Sequence, residues 1–309
     1  MSSTRCAPAL LIANAPVSYG AFEITVGIDP NVPDPTTLLD WVSDAGYVGI
    51  DLGPVGYLGD RDHLAGRLSE RGLGLAGGYL EVPFSEPEKM AAALVELDAL
   101  LDIFDSVAGH PRPPKPTLAD AGSPQRAALP GRAAVDRSLG LDEAAWSRFA
   151  QGLGQAVARC RARGYDPTFH HHTATYIEAK WEIDRLLAIS DVGLCLDTGH
   201  LLLGGGDPVD AILEWAGRIN QVHLKDARRA TLRQIVDEAA PVQEIWRRRA
   251  FCALGDGDIP IDQVLAALAE IGYSGWLVVE QDILPDPANP GEPAVDQRRN
   301  REYLRSHGL

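Results

Sequence analysis

A regular alternation between short β-type runs and longer helical stretches continues along this chain of 309 residues. The β-type runs are predicted at residues 10–15, 49–52, 75–80, 117–119, 168–171, 192–196, 221–224 and 276–280. The helical stretches are predicted at residues 37–45, 61–71, 88–104, 142–163, 177–189, 208–219, 232–248 and 261–271. Eight strands that alternate with helices predict an α/β protein, built as a single (β/α)8 TIM barrel with parallel strands.

The junctions between helices and strands repeat the same local pattern. Residues 45–50 read AGYVGI and residues 271–276 read IGYSGW, and looser versions follow the helices near residues 72 and 164. Glycine at such a junction supplies the left-handed residue that ends a helix before the next strand. The recurrence indicates a repeated βα unit rather than a duplicated domain.

One proline-rich segment, residues 108–139, interrupts this rhythm. It is either a linker between two domains or a long βα loop around the fourth strand. A short apolar run precedes Asp120 and Gly122, which favours a barrel strand followed by a loop at the active site. We therefore predict that residues 1–309 form one domain.

Charge and composition exclude several classes of partner. The net charge of −15 repels phosphate backbones, so we expect no nucleic-acid partner. No apolar run reaches the 18 or so residues that a membrane span requires, so we expect no membrane partner. The run at residues 6–15 imitates a short signal peptide, but it contains Pro8 and continues smoothly into residues 17–20, which favours the first barrel strand.

The four cysteines lie far apart and show no CxxC spacing. Free thiols without a zinc-ribbon pattern predict a cytoplasmic protein. The sequence leaves the oligomeric state open, and a homo-oligomer is one of the alternatives.

Four consecutive predicted strands end in histidine or carboxylate residues. Their ends read FHHH at 169–172, LCLDTGH at 194–200, VHLKD at 222–226 and VVEQD at 278–282. In a parallel barrel these ends converge around one axis, where reactive groups collect. A lone aspartate at a strand end is more often a helix cap, and a lone histidine more often a core or surface residue. The coincidence of four in order predicts a site for a divalent cation.

The three consecutive histidines of the fifth strand divide between the two faces of the strand. Alternation puts His170 and His172 on the pocket side, with His171 packed behind it. His170 is the expected fourth metal ligand. Glu178 is its competitor, although a carboxylate at the start of a helix also interacts favourably with the helix dipole.

Several motifs together resemble a known family. LDTGH at 196–200, VHLKD at 222–226, GDGDIPI at 255–261 and GYSGWLVVEQD at 272–282 are similar to the xylose isomerase-like barrels of sugar isomerases and epimerases. HHHTATYIEAKWEIDRLL at 170–187 resembles the inosose dehydratase-type members of that superfamily. The similarity is dense from about residue 170 to 282 and thin before it.

The resemblance implies a metal held by Glu, Asp, His and Glu from strands five to eight. Asp197, His223 and Glu280 match the last three ligands, and His170 stands in the apparent place of the first. Mn²⁺ or Co²⁺ is the expected ion, with Mg²⁺ and Zn²⁺ as alternatives.

The resemblance also implies an α-hydroxyketone substrate, a small polyol or keto-sugar, whose neighbouring C–H is made acidic by the metal. His172, Lys225 and Glu81 are the candidate acid–base residues. Candidate substrate-binding residues are His200, Asp226 and Glu178.

Three functions remain open at this point. The first is an inosose (keto-inositol) dehydratase-like lyase of inositol catabolism, and the second is an isomerase or epimerase of sugars or keto-glycosides. The third is a barrel that binds a polyol without catalysis. Metal content separates the third from the others, and loss of water separates the first from the second.

Overall fold

The computed structural model describes residues 10–107 and 112–309. In chain order its strands are β1 (Leu11–Asn14), β2 (Gly49–Asp51), β3 (Gly74–Val82), β4 (Lys115–Asp120), β5 (Thr168–His170), β6 (Gly193–Asp197), β7 (Ile219–Leu224), β8 (Asp226–Ala227), β9 (Phe251–Cys252) and β10 (Trp276–Val279). Eight of these strands close into a barrel in the order β1-β10-β7-β6-β5-β4-β3-β2. Every neighbouring pair in this barrel is parallel, which confirms the predicted (β/α)8 fold.

A two-stranded antiparallel sheet of β8 and β9 lies outside the barrel. The sequence did not predict this small sheet, because each of its strands has only two residues. It begins two residues after β7 and therefore lies close to the carboxyl-terminal end of the barrel strands.

Helices surround the barrel and follow the predicted order. They are α1 (Pro35–Ala45), α2 (Leu64–Ser69), α3 (Pro87–Ser106), α4 (Pro124–Ala128), α5 (Glu143–Ala162), α6 (Lys180–Ile189), α7 (Thr198–Leu203), α8 (Pro208–Glu214), α9 (Arg229–Asp237), α10 (Gln243–Arg247), α11 (Ile261–Glu270) and α12 (Glu292–Ser306). Short 3₁₀ helices occur at Pro16–Tyr19, Arg132–Ala134 and Arg137–Leu139. No helix within residues 10–107 and 112–309 combines the length and apolar character needed to cross a membrane.

Two helix predictions were wrong. The helix predicted at 232–248 is divided into α9 and α10, because Ala239 adopts a left-handed φ of 50° and Pro241 cannot donate a helical hydrogen bond. Helix α12 was not predicted, because 7 of its 15 residues are charged and its buried side chains are mostly polar. The Gly-capped junctions are as predicted: Gly46 and Gly272 have φ values of 87° and 66°.

The alternation of side chains along β10 determines which residues point into the barrel. Leu277 and Val279 pack in the main core between strands and helices, whereas Trp276 and Val278 belong to a separate small cluster with Ala13 of β1. Since successive strand residues point to opposite sides, Glu280 continues the inward row of Trp276 and Val278.

The proline-rich segment at residues 108–139 contains β4 and the loop that follows this strand. Residues 108–111 of it, like Cys6 near the N-terminus, lie outside the described residues. Strand β4 is longer than the predicted run at 117–119, and the loop after it contains α4 and two 3₁₀ helices. Arg126 of α4 is fully buried and pairs with Glu178 and Glu182 at 3.1 and 2.9 Å. This ion-pair cluster attaches the loop to the segment that follows β5.

Candidate metal centre

Four side chains from consecutive strands converge at the carboxyl-terminal end of the barrel. His170 ends β5, Asp197 ends β6, His223 lies near the end of β7, and Glu280 follows β10. One ligand-capable atom from each of the four lies within 4.8 Å of the others, and all four residues are buried. The parallel register explains the convergence, since Asp197 and His223 are directly paired across β6 and β7.

The distances within this cluster suit a single small cation. His170 Nε2 lies 3.1 Å from His223 Nδ1 and 3.6 Å from Asp197 Oδ2. His223 Nδ1 lies 3.2 Å from Glu280 Oε2. Ligand atoms bound at about 2.0–2.2 Å around one ion are separated by about 3.0–3.6 Å. Asp197 Oδ2 is buried and has no hydrogen-bond partner among the described residues. The donor set therefore fits a divalent metal.

The carboxylates of this cluster remain ionised. Burial alone would raise the pKa of Asp197, but the Lys225 ammonium lowers it well below its usual value. Burial also opposes ionisation of Glu280, but His223 and Lys225 lower its pKa to about 2. Ionised carboxylates and imidazoles form a mixed oxygen and nitrogen ligand set that suits Mn²⁺, Co²⁺ or Zn²⁺.

Lys225 lies against two of these ligands and is almost fully buried. Its Nζ is 3.3 Å from Asp197 Oδ2, 3.1 Å from Glu280 Oε2 and 2.8 Å from Asp282 Oδ1. Burial by itself would lower the pKa of Lys225, but the carboxylates of Asp197, Asp282 and Glu280 raise it well above its usual value. Lys225 is therefore a buried ammonium ion that donates hydrogen bonds.

Space for the Lys225 side chain depends on the absence of a side chain at Gly199. A Cβ atom at Gly199 would lie 2.9 Å from Lys225 Cγ and 2.8 Å from the Phe251 ring. The hydroxyl of Thr198 also donates to the Lys225 carbonyl at 2.6 Å. The TG pair of the LDTGH motif thus shapes the wall along which Lys225 extends.

His200 and Lys225 are linked by a hydrogen bond that determines which tautomer the His200 imidazole adopts. Lys225 Nζ lies 3.2 Å from His200 Nε2, so the ammonium donates and Nε2 accepts. The other nitrogen, Nδ1, then donates to Thr173 Oγ1 at 2.7 Å. Burial, His172 and Lys225 keep the pKa of His200 well below its usual value. His200 is accordingly a neutral imidazole that orients Lys225.

His172 lies on the same side as His170, as strand alternation predicts. The centroids of the His172 and His200 rings are 4.0 Å apart. Its Nδ1 is 2.8 Å from the Thr173 carbonyl and must donate to it, which leaves the lone pair on Nε2. Burial, together with His170 and Lys225, lowers the pKa of His172 to about 3. The neutral imidazole offers Nε2 as a proton acceptor.

Glu81 is exposed near the end of β3, on the same side of the strand as Tyr79. The Tyr79 hydroxyl donates to Glu81 Oε1 at 3.1 Å, and the Tyr79 ring lies 5.9 Å from the rings of both His170 and His172. Although Glu81 is exposed overall, the protein around its carboxylate desolvates this group and raises its pKa. The Tyr79 hydrogen bond lowers the pKa of Glu81, and Glu23 raises it. Glu81 is therefore connected to the histidine cluster through Tyr79.

Glu178 was predicted to bind a metal or the substrate, but its carboxylate is bonded to groups of the protein. Its Oε1 accepts hydrogen bonds from the backbone of Gly131 and Ala174 at 2.8 and 2.9 Å. Its Oε2 accepts from Arg126 at 3.1 Å. Both carboxylate oxygens are used inside the protein, and Glu178 is not part of the four-residue cluster. The geometry thus assigns Glu178 to loop attachment instead of metal or substrate binding.

Asp226 was predicted to bind the substrate, but its carboxylate accepts hydrogen bonds from the protein backbone instead. Its Oδ2 accepts from the backbone of Gly255 and Gly257 at 2.9 and 3.0 Å, and its Oδ1 accepts from Ala227 and Ile259 at 2.8 and 3.2 Å. A Cβ atom at Gly257 would lie 2.2 Å from Asp226 Oδ1, which explains the glycine. Asp226 therefore holds the GDGDI loop in place.

Two buried carboxylates near the site were not singled out from the sequence. Asp51 ends β2, with Oδ2 3.8 Å from His223 Nε2, and burial raises its pKa to about 6 although His223 lowers it. Asp282 contacts Lys225, and burial raises its pKa to about 6 against the effect of Lys225. The second strand was predicted to end at residue 52; an end at residue 51 would have placed Asp51 at a strand end, where reactive groups collect.

Comparisons with known proteins identify the family of this chain. A family model described as a xylose isomerase-like TIM barrel matches residues 39–307. Inosose dehydratase of Geobacillus kaustophilus (strain HTA426) is 30% identical over 295 residues, which cover 90% of this chain and 89% of that protein. Inosose dehydratase of Clostridium botulinum (strain Alaska E43 / Type E3) is 34% identical over 173 residues, 55% of this chain and 57% of that protein.

Solved structures share the fold at low sequence identity. A structure of L-ribulose 3-epimerase matches with a TM-score of 0.65 and 19% identity, over 96% of this chain and 93% of that one. A probable 3-DHS dehydratase from Bacillus anthracis matches with a TM-score of 0.66 and 13% identity, over 96% of this chain and 98% of that one. With the family model spanning most of the barrel, this chain belongs to the xylose isomerase-like TIM barrel family.

Proposed function

We propose that this protein is a metal-dependent lyase that dehydrates a small polyhydroxylated ketone of the inosose type. The observation that carries the proposal is the buried cluster of His170, Asp197, His223 and Glu280 beside the Lys225 ammonium. The relation to an inosose dehydratase along 90% of the chain supports the substrate class. The chemistry is enolisation of an α-hydroxyketone followed by loss of a hydroxyl group.

The four clustered side chains hold the cation, which we expect to be Mn²⁺ or Co²⁺. A divalent cation bound there polarises the oxygens of an α-hydroxyketone and so acidifies the adjacent C–H. Lys225 Nζ lies within 3.3 Å of the ligand carboxylates and can donate a hydrogen bond to a substrate oxygen brought to the same place. Asp282 and His200 hold the ammonium in this orientation at 2.8 and 3.2 Å.

Two side chains are suited to proton transfer. His172 presents the lone pair on Nε2, so it is the side chain placed to accept the proton from the carbon next to the ketone. Desolvation of its carboxylate raises the pKa of Glu81, which favours the protonated form, so Glu81 is suited to deliver a proton to the departing hydroxyl. His172 is thus the proposed base and Glu81 the proposed acid.

The experiment is incubation of the Mn²⁺-loaded protein with a panel of inososes and ketoses, followed by mass spectrometry. A dehydratase yields a product lighter than its substrate by one water. An isomerase or epimerase yields a product of unchanged mass that differs in chromatographic retention, and this result would replace the proposed reaction. Tight polyol binding without any product would indicate a barrel that binds without catalysis.

Matched variants connect the reaction to the site. Asp197→Asn should abolish both metal binding and product formation, since it removes a ligand charge. Asp191→Asn is the control, because Asp191 is exposed and forms a surface ion pair with Arg161. Activity that survives Asp197→Asn would exclude the proposed metal centre.

A further inference from the structure

A thiol lies directly beneath the proposed metal centre. Cys195 is on β6, two residues before Asp197, so both side chains point to the same side of the strand. It is directly paired with His170 across β5 and β6, and it is completely buried. Nothing in the proposed reaction uses this thiol.

Cys195 forms a second possible ligand group with two of the histidines. One ligand-capable atom from each of His170, Cys195 and His223 lies within 4.8 Å of the others. His170 Nδ1 and His223 Nε2 are buried and have no hydrogen-bond partner among the described residues. The two imidazoles are therefore not held to other groups through these nitrogens, and each can turn toward a new ligand arrangement.

The two overlapping groups differ in chemical softness. The carboxylate-rich group supplies two nitrogens and two oxygens, whereas the deeper group supplies two nitrogens and one sulfur. Thiolate sulfur favours Zn²⁺, and oxygen ligands favour Mn²⁺ and Mg²⁺. A zinc ion held by two nitrogens and a sulfur keeps one coordination position open to a carboxylate or water.

We propose that His170, Cys195 and His223 form an alternative site that binds Zn²⁺. On binding, the ion accepts a lone pair from Cys195 Sγ, and the thiol proton passes to solvent without any change of oxidation state. The ligand atoms must approach one another, because sulfur and nitrogen around one zinc ion are separated by about 3.5 Å. Small rotations of the two imidazoles and the thiol provide this closure.

The two arrangements exclude each other, because both require His170 and His223. Zinc in the deeper group therefore removes two ligands from the carboxylate-rich group. Excess Zn²⁺ is expected to displace Mn²⁺ and to inhibit turnover. The inhibition rests on the function proposed above, whereas the zinc site itself does not.

Cobalt gives a spectroscopic test that does not depend on activity. Co²⁺ bound to a thiolate produces an intense charge-transfer band in the near ultraviolet, which oxygen and nitrogen ligands alone do not give. The test compares Cys195→Ser with a triple variant, Cys6→Ser, Cys160→Ser and Cys252→Ser, in which Cys195 is the remaining thiol. The band should persist in the triple variant and disappear in Cys195→Ser.

Metal affinities provide the second test. Cys195→Ser should lower the Zn²⁺ affinity by about tenfold or more and leave the Mn²⁺ affinity within about twofold. If circular dichroism shows that Cys195→Ser does not fold, the Cys195→Ala variant is measured in its place. The proposal is overturned by a folded triple variant without the band, by a band that survives loss of Cys195, or by equal losses of Zn²⁺ and Mn²⁺ affinity. Because Mn²⁺ binding and dehydration are measured separately, failure here does not imply failure of the proposed function.

Discussion

The imidazole of His171 accepts a hydrogen bond on Nε2 from the backbone N–H of Asp197, at 3.1 Å. The sequence placed His171 behind the pocket, and it is indeed completely buried on the side opposite its neighbours. Its role goes beyond packing, because it fixes the backbone of a proposed metal ligand. Outer groups of this kind orient the ligands that contact a metal.

His171→Ala should therefore weaken Mn²⁺ binding by about tenfold, as is usual for the loss of a group that supports a ligand. His170→Ala should weaken it more, by about a hundredfold, because a direct ligand is lost. Isothermal titration of Mn²⁺ into both variants and into Glu178→Ala checks this order of the losses in Mn²⁺ affinity. Release of the ion by Glu178→Ala, with binding intact in His170→Ala, would instead support Glu178 as the ligand.

The convergence of the four ligands could be predicted because a barrel brings consecutive strand ends together, whatever their separation in sequence. The environment of Glu178 could not be predicted, because its partner Arg126 lies 52 residues earlier in a loop without a periodic pattern. Asp51 was missed for a different reason. The second strand was predicted to end at residue 52, which made Asp51 look like an interior residue, whereas β2 ends at Asp51.

His170→Glu introduces the carboxylate that the resemblance implies on the fifth strand. The variant adds one negative charge to a cluster that already attracts a cation, so the Mn²⁺ affinity should stay equal or rise. Titration of Mn²⁺ into His170→Glu and His170→Gln separates charge from size, because glutamine has the same length without the charge. An affinity for His170→Glu below that of His170→Gln would contradict this prediction.

Lys225→Met keeps most of the side-chain volume and removes the ammonium group. Since Nζ lies 3.1 Å from Glu280 Oε2, its loss makes the ligand carboxylates more available, and Mn²⁺ affinity should be kept or raised. Turnover should fall by about a hundredfold or more, because a charged hydrogen-bond donor to the reacting oxygen is lost.

Steady-state kinetics and Mn²⁺ titration on the same preparation check that Lys225→Met loses turnover but keeps its Mn²⁺ affinity. Lys180→Met is the matched control, since Lys180 is part of surface ion pairs with Asp184 and Glu214. A Lys225→Met protein with normal turnover but poor metal binding would remove Lys225 from the proposed mechanism.

Glu178 should make the stability of the protein depend on pH. Burial raises its pKa to about 7, although Arg126 and two backbone N–H groups lower it. A carboxyl with a raised pKa binds more protons in the folded state, so stability falls as the pH rises from about 4.5 to about 7. Glu178→Gln removes this titration and should show a weaker loss of Tm over that interval.

Thermal unfolding of the native protein and Glu178→Gln at several pH values between 4.5 and 8 tests this dependence. Glu143→Gln is the control, because Glu143 is exposed and Arg185 lowers its pKa. Parallel Tm profiles of Glu178→Gln and the native protein would show that Glu178 is not the titrating group.

Asp226→Asn should lower stability rather than substrate affinity. The carboxylate accepts four backbone hydrogen bonds, and an amide can accept only through its oxygen, so its NH₂ group would face two backbone donors. Buried donors left without acceptors cost about 1–3 kcal/mol each, so a clear drop in Tm is expected. Asp256→Asn is the control, since Asp256 forms only a partly exposed ion pair with Arg299 and its loss should cost about 0–1 kcal/mol. Thermal unfolding and KM are measured on both variants. A raised KM for Asp226→Asn at unchanged Tm would mean that Asp226 contacts the substrate, as the sequence first suggested, and that the loop at 255–259 is held by other interactions.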